Sequence, residues 1–419
     1  MGMPNNWTRV RGYPAAAGKS AVSVALIAAA VVVMSCSDLL TSAPDPGDVF
    51  DGPVDGLTPA ELAAFIRGDE EFGRRFAPVT GLGPIFNDVS CAACHSGDGR
   101  GRPANALIRI GSPDDDMYSS LGGPQIQDRA IPGAVAEPTP VGVAISLRLP
   151  PPVFGVGLIE AIPEAEILSR ADPDDADGDG ISGRPNWVIP PPWVPANEPG
   201  SGAAARIGRF GRKAQTTSIL QQAVEAYLQD MGITTDFLPD ENRNQVAGHP
   251  YDAVDAVVDP EIPAGTVFAV VNYLRLLAAP APGASNATRE RGQVVFGETG
   301  CAACHVPVLH TGTATVSALS NKPVALYSDL LLHDMGDALA DDRPDGSANG
   351  REWRTTPLWG LRLVRQFLNG DVFLLHDGRA RTIEEAILLH GGEAQRSRDL
   401  FNALTAADRA ALVEFVGSR

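Results

Sequence analysis

The chain has 419 residues, enough for two modest domains or one elaborated one, and a hydrophobic share of 44% supports a packed core. Thirty-three basic against 51 acidic residues leave a net charge of −18, which argues against nucleic acid as a partner and suits a soluble acidic protein that steers a basic one. Forty-four glycines and 35 prolines predict long irregular connections between short helices.

Residues 1–36 read as a targeting segment. Arg9, Arg11 and Lys19 form a basic start, and Ala21 to Val33 is an apolar run too short for an ordinary membrane span. It ends in "VMSC", where Ser35 before Cys36 resembles a bacterial lipoprotein processing site; a plain secretory signal is the alternative. Cleavage would leave Cys36 as a lipid anchor on the periplasmic side of a membrane. It would also leave 30 basic against 51 acidic residues, since the segment holds no acid. Residues 37–57 then form a linker.

"TPAELAAFIRGDEEFGRRF" opens the first folded region, with Thr58 as N-cap, Pro59 at the first helical position and Glu61 as the capping-box partner. It leads to "CAACH" at Cys91–His95, and the same pentapeptide returns at Cys301–His305. Two cysteines three apart can each form a thioether to a haem vinyl group, and the histidine that follows then ligates the iron. A zinc site would need its four soft ligands close together, but these pairs are 210 residues apart. With Cys36 set aside, all cysteines are used by the two motifs and none remains for a disulfide. The expectation is two covalently bound haems c, on Cys91, Cys94 and His95 and on Cys301, Cys304 and His305.

Between the motifs, "DADGDG" places Asp175, Asp177 and Asp179 at alternating positions with Gly180 next, the start of a calcium-type loop. Position 12 is Asn186 rather than a glutamate, so an acidic surface turn is the alternative. "LAAPAPGASNAT" (277–288) reads as a linker. "ATRERGQVVFGETGCAACH" predicts a helix running into a glycine turn before the second motif, and "TAADRAALVEFVGSR" a terminal helix capped by Thr405 and Asp408. The expected fold is mainly α, with two cytochrome c-like domains and long irregular loops: 58–280 and 285–419.

The stretches "GLGPIFNDVSCAACHSGDGRGRP", "DADGDGISGRPN", "GRFGRKA", "LLLHDMGDALAD", "TPLWGL" and "LHDGRARTIEEAILLHGGEA" together resemble the di-haem oxidoreductases, relatives of bacterial di-haem cytochrome c peroxidases. The resemblance implies a mostly helical fold and peroxidase-like chemistry. Hydrogen peroxide would be the small-molecule oxidant and a small cytochrome the electron donor. In one departure, the family's "GRFGWKA" carries a tryptophan where this chain has Arg212. If that indole carries electrons between haems, Trp187, Trp193 and Trp359 are the remaining candidates. Related peroxidases hold calcium between their haems, which favours the calcium reading of the loop.

The resemblance also suggests second axial ligands. The peroxidases place a methionine at the end of a helix after an "HDG" loop, and here His390 takes that place, with Met335 as competitor. A methionine raises a haem's potential relative to a second imidazole. No sixth ligand is evident for the first haem; Met117 and His249 are poor candidates. That makes haem 1 the expected reaction centre and haem 2 the relay. The family's distal glutamine and glutamate are matched in separation by Gln127 and Glu137, the glutamate moving the proton as the O–O bond breaks. The rival functions are a pure electron-transfer cytochrome and a haem-based sensor or accessory protein.

Overall fold

The computed structural model describes residues 47, 49–111, 121, 123–244, 247 and 254–419, all within one packed unit, Pro46–Arg419. Cys36, Met117 and His249 lie outside the described residues. Among those described, no helix is long and apolar enough to cross a membrane.

Helices carry most of the regular structure. Helix α1 (Pro59–Gly73) begins at the expected capping box: the Thr58 side chain accepts from Glu61 N, and Glu61 accepts in return from Thr58 N at 2.7 Å. The short α2 is the first motif itself, Cys91–Cys94, followed by α3 (Val156–Ala161) and α4 (Glu164–Leu168). Ser218 caps α5 (Ile219–Met231), which stops at Gly232 in the left-handed region. Then come α6 (Ala264–Leu276), α7 (Ala287–Glu298), α8 (Leu361–Phe367), α9 (Ile383–Leu388), α10 (Gln395–Ala403) and α11 (Ala406–Val416). Strands are short antiparallel pieces; the largest sheet sets Leu107–Gly111 between Gln125–Ile126 and Ala144–Arg148.

The same packing occurs twice. Helix α1, just ahead of the first CxxCH, packs on α6, and α7, just ahead of the second, packs on α11. Each pair closes through a glycine. A Cβ on Gly68 would collide with the Ala269 carbonyl, and one on Gly292 with the Ala411 carbonyl. Larger residues there would force the axes apart. Around the second contact Phe296, Tyr327 and Phe415 meet edge to face, 5.4–5.9 Å between ring centres. Burying each such side chain contributes about 1.5–3 kcal/mol.

The two helix pairs lie in different apolar clusters, but the larger cluster draws on both sides of the linker. The main apolar core takes Phe65, Val270 and Tyr273 from before the 277–288 linker and Leu309, Leu326, Leu330 and Trp359 from after it. A smaller cluster gathers Val295, Phe296, Phe401, Leu412 and Phe415. The linker is pinned as well: Gly283 N donates to Ser418 O, and Arg362 Nε to Ala281 O.

Candidate functional site

Each CxxCH opens into its own apolar cleft, of about 1360 Å³ at the first motif and about 1430 Å³ at the second, counted to the mouth. At the first, Ser90 caps α2 by accepting from Ala93 N at 3.1 Å, and His95 N donates back to Cys91 O at 2.9 Å. That turn sets both thiols and the imidazole on one wall. Phe72 from α1 packs near His95 (ring centres 6.2 Å apart), and Pro150, Phe154, Tyr227, Met231, Leu274 and Trp359 supply much of the rest. His95 Nδ1 is buried without a hydrogen-bond partner of normal geometry. Burial pushes this imidazole down to about 4, against the backbone of Pro151 and Gly99, so it is neutral.

At the second motif, Gly300 turns the chain out of α7, and His305 N donates to Cys301 O at 3.0 Å. Nδ1 of His305 lies 2.9 Å from the Tyr327 carbonyl, and Nδ1 of His390 lies 2.7 Å from the Ala386 carbonyl. A carbonyl only accepts, so both rings carry their proton on Nδ1 and leave Nε2 free to bind a metal. Burial holds both imidazoles neutral, His305 near 4. His390 stands just past α9, whose start is fixed by Thr382 accepting from Glu385 N. Met335 lines the same cleft.

His333 also borders this cleft, in a different role. Its Nε2 bonds Asp329 at 2.8 Å and its Nδ1 bonds Glu393 at 2.7 Å. Burial pulls its pKa down, but the bonds to Asp329, Cys304 and Glu393 carry it well above the usual range. It is therefore an imidazolium with no lone pair to give. Glu393 also accepts from Ser182 Oγ at 2.9 Å, tying the end of the "DADGDGIS" loop to this site.

Two pairs of thiols, two neutral imidazoles aimed into apolar clefts of similar size, and a second free imidazole beside one of them fit two haems. The sequence pattern of one family, described as "Di-haem oxidoreductase, putative peroxidase", matches residues 39–110 and 139–419. The chain belongs to the di-haem oxidoreductase family. No curated protein matches it. Among solved structures it is similar to Kuenenia stuttgartiensis hydrazine synthase, at 14% identity over 99% of this chain and 100% of that one, with a TM-score of 0.34. It is also similar to a MauG-like protein associated with microbial copper homeostasis, at 13% identity over 90% and 94%, with a TM-score of 0.38. Neither likeness is close enough to carry an argument.

Several expected residues are placed elsewhere. Gln127 and Glu137 do meet, but outside the wall of the first cleft and within the stretch 111–138 that the family pattern does not match. Glu137 Oε2 accepts from Gln127 N at 2.7 Å, Glu137 N donates to Gln127 O at 2.9 Å, and Gln127 Nε2 donates to Leu228 O on α5. The pair forms a buried clasp against α5, and the carboxylate is turned onto a backbone N–H. Burial raises the Glu137 carboxyl to about 7, with the Gln127 N–H opposing it, whereas in the unfolded chain it titrates near ~4.3. Between those values the unfolded state loses its proton first, so wild-type stability should fall, relative to Glu137→Gln, as pH rises from about 4 to 7, then run parallel. Urea midpoints at pH 5 and pH 8 check this; a wild type that gains on the variant would refute it.

The calcium reading also changes. Asp172, Asp175 and Asp177 converge, and Asp179 is not among them. The acids are used by their own turn: Asp172 accepts from Ala176 N and Asp177 N, Asp175 from Gly180 N, and Asp179 from Ile181 N. Asn186, the twelfth position, is buried elsewhere, donating to Lys213 O and Asp345 O. Of the tryptophans, Trp359 lines the first cleft, whereas Trp187 is exposed and Trp193 packs on Phe237. Trp353, which the sequence reading passed over, lines the second cleft, stacked on His376 at 3.8 Å. Tyr227, Asp230 and Met231 on α5 were likewise missed; only the 3.6-residue spacing of that helix would have shown that they share a region.

Proposed function

We propose an exported, lipid-anchored di-haem c oxidoreductase that reduces peroxide at the first cleft with electrons relayed through the second. The carrying observation is the asymmetry of the imidazoles. The second cleft presents His305 and His390, both neutral with Nε2 free, whereas among the described residues the first presents His95 alone. A haem held by one imidazole supplies an iron that can bind and reduce peroxide, and one held by two supplies an electron store.

The chain's part is to hold a proton near the first cleft. Asp230 lines it: Oδ1 accepts from Gln125 Nε2 at 2.7 Å, and Oδ2 has no partner among the described residues. The neighbouring Asp88 is already engaged by Asn105, Arg129 and Val89 N. The Tyr227 hydroxyl is buried there without a partner and can donate into the cleft. Asp230→Asn should keep both haems yet slow peroxide reduction by reduced cytochrome c by about 10²–10⁴-fold, the usual contribution of a positioned acid–base group. Wild-type protein inert towards peroxide would sink the reading. The acidic surface suits a basic donor, and Cys36 would carry the anchor.

Met231 supports a second reading. It is buried in the first cleft and could give the iron a thioether, which would make the protein an electron carrier. The resting ferric spectrum separates the two: a high-spin component marks an open iron, and a wholly low-spin spectrum favours the carrier. For the second haem, His390→Met should keep the low-spin spectrum and raise the potential. An unchanged potential would point to Met335.

A further inference from the structure

Four buried arginines line the clefts with no ion pair to a carboxylate among the described residues. Arg209, in the first cleft alone, is held by the carbonyls of Ile159, Glu160 and Ile162, and the other three gather by the second cleft. Arg212 and Arg354 stand in the walls of both clefts and Arg100 in the wall of the second, and all three are buried. Their bonds go to backbone carbonyls alone: Arg212 Nε and Nη2 to Leu149, Arg354 Nε to Gly211, and Arg100 Nη1 to Phe373 and Leu375. Arg100 Nε has no partner, and Nη1 of Arg212 and Nη2 of Arg354 make no bond among the described residues. The acids that act on Arg212 and Arg354 are engaged elsewhere: Asp377 by Arg379 at 2.6 Å and Asp329 by His333 at 2.8 Å. Buried guanidiniums left unpaired are costly, and their planar forks fit carboxylates. Two apolar clefts meeting at such a cluster call for anions brought by what fills them.

We propose that Arg212 and Arg354 form one cationic bridge shared by the propionate carboxylates of both haems, with Arg100 serving the second haem alone. This rests on both clefts holding haem. Arg212, where the family pattern has an indole, is then an electrostatic coupling between the two haems. A nearby positive charge favours the reduced state, so its loss lowers a haem's potential.

The test is spectroelectrochemical titration of the full-length di-haem protein. The second haem's wave is assigned as the one missing from Cys301→Ala/Cys304→Ala, and haem content is read separately as the pyridine haemochrome ratio. A ratio below two in the wild type would fail the di-haem reading, independently of the bridge. With two haems present, Arg212→Gln and Arg354→Gln should each lower both potentials, Arg100→Gln only the second haem's, and Arg212→Lys should recover part of the loss. Shifts confined to one haem in the Arg212 and Arg354 variants, or no shift, would overturn the bridge. So would wild-type potentials that move with added inorganic phosphate at constant ionic strength, since the cluster would then hold a diffusible anion. If the Gln variants do not fold, resonance Raman of the wild type against Arg212→Lys decides. The propionate bending bands of both haems should shift in the Lys variant, and bands at unbonded positions in the wild type would overturn the proposal.

Discussion

Asp345→Ala should cost about 3–5 kcal/mol of unfolding free energy at pH 7, the typical result of stripping one partner from a buried ionic group. Asp345 is 2% exposed, accepts from Arg343 and is ion-paired with Arg148, with Arg109 at 3.8 Å. Arg148 also reaches Asp341 at 3.3 Å, which pairs with the fully buried Lys213 at 2.7 Å, next to Arg212 in the wall between the clefts. Removing the one carboxylate would leave several cations facing each other out of water. Burial alone would raise the Asp345 carboxyl, but Arg148, Arg109 and Arg343 outweigh it and hold it below the ordinary range. Its contribution is therefore complete above the unfolded value of about 3.9 and is lost as pH falls below that. Denaturant unfolding at pH 7 and pH 3 should show the gap between wild type and variant narrowing in acid. A cost under about 1 kcal/mol at pH 7 would mean that the arginines find other partners.

The other large effect concerns the second cleft. Cys301→Ala with Cys304→Ala should halve the covalent haem, from two per chain to one, and remove the low-spin signal of the two imidazoles. The loss should extend to local packing, because Cys301 packs against the cluster of Val295, Phe296 and Leu412 where α7 meets α11. Haem remaining on the chain through denaturing electrophoresis is the measurement. An unchanged ratio in the variant would exclude thioether attachment at this motif.

What could be read ahead of the structure were features contained in a few consecutive residues. The two CAACH turns, the Thr58–Pro59–Glu61 box and the Thr405 cap each depend on neighbours in the chain, and each forms as the local chemistry requires. The walls of the clefts were another matter. Tyr227, Asp230 and Met231 reach the first cleft from more than a hundred residues beyond His95, and Trp353 reaches the second from a strand of three residues, Glu352–Arg354, too short to show a period. The ten-residue separation of Gln127 and Glu137 matched that of the distal pair in the peroxidases the chain resembles. It could not show that the carboxylate turns onto a backbone N–H instead of into the cleft. Arg212 read as the loss of an indole, whereas in the fold it is a buried cation common to both clefts.

The surroundings of three motif thiols, Cys91, Cys94 and Cys301, bear on how the mature protein is made. Burial pushes the Cys91 thiol up to about 12 and raises those of Cys94 and Cys301, so in the finished fold they stay protonated and poorly nucleophilic. The wall around Cys91 is also completed by Trp359, far along the chain. Covalent loading of the proposed kind therefore belongs to the extended chain, before these walls close.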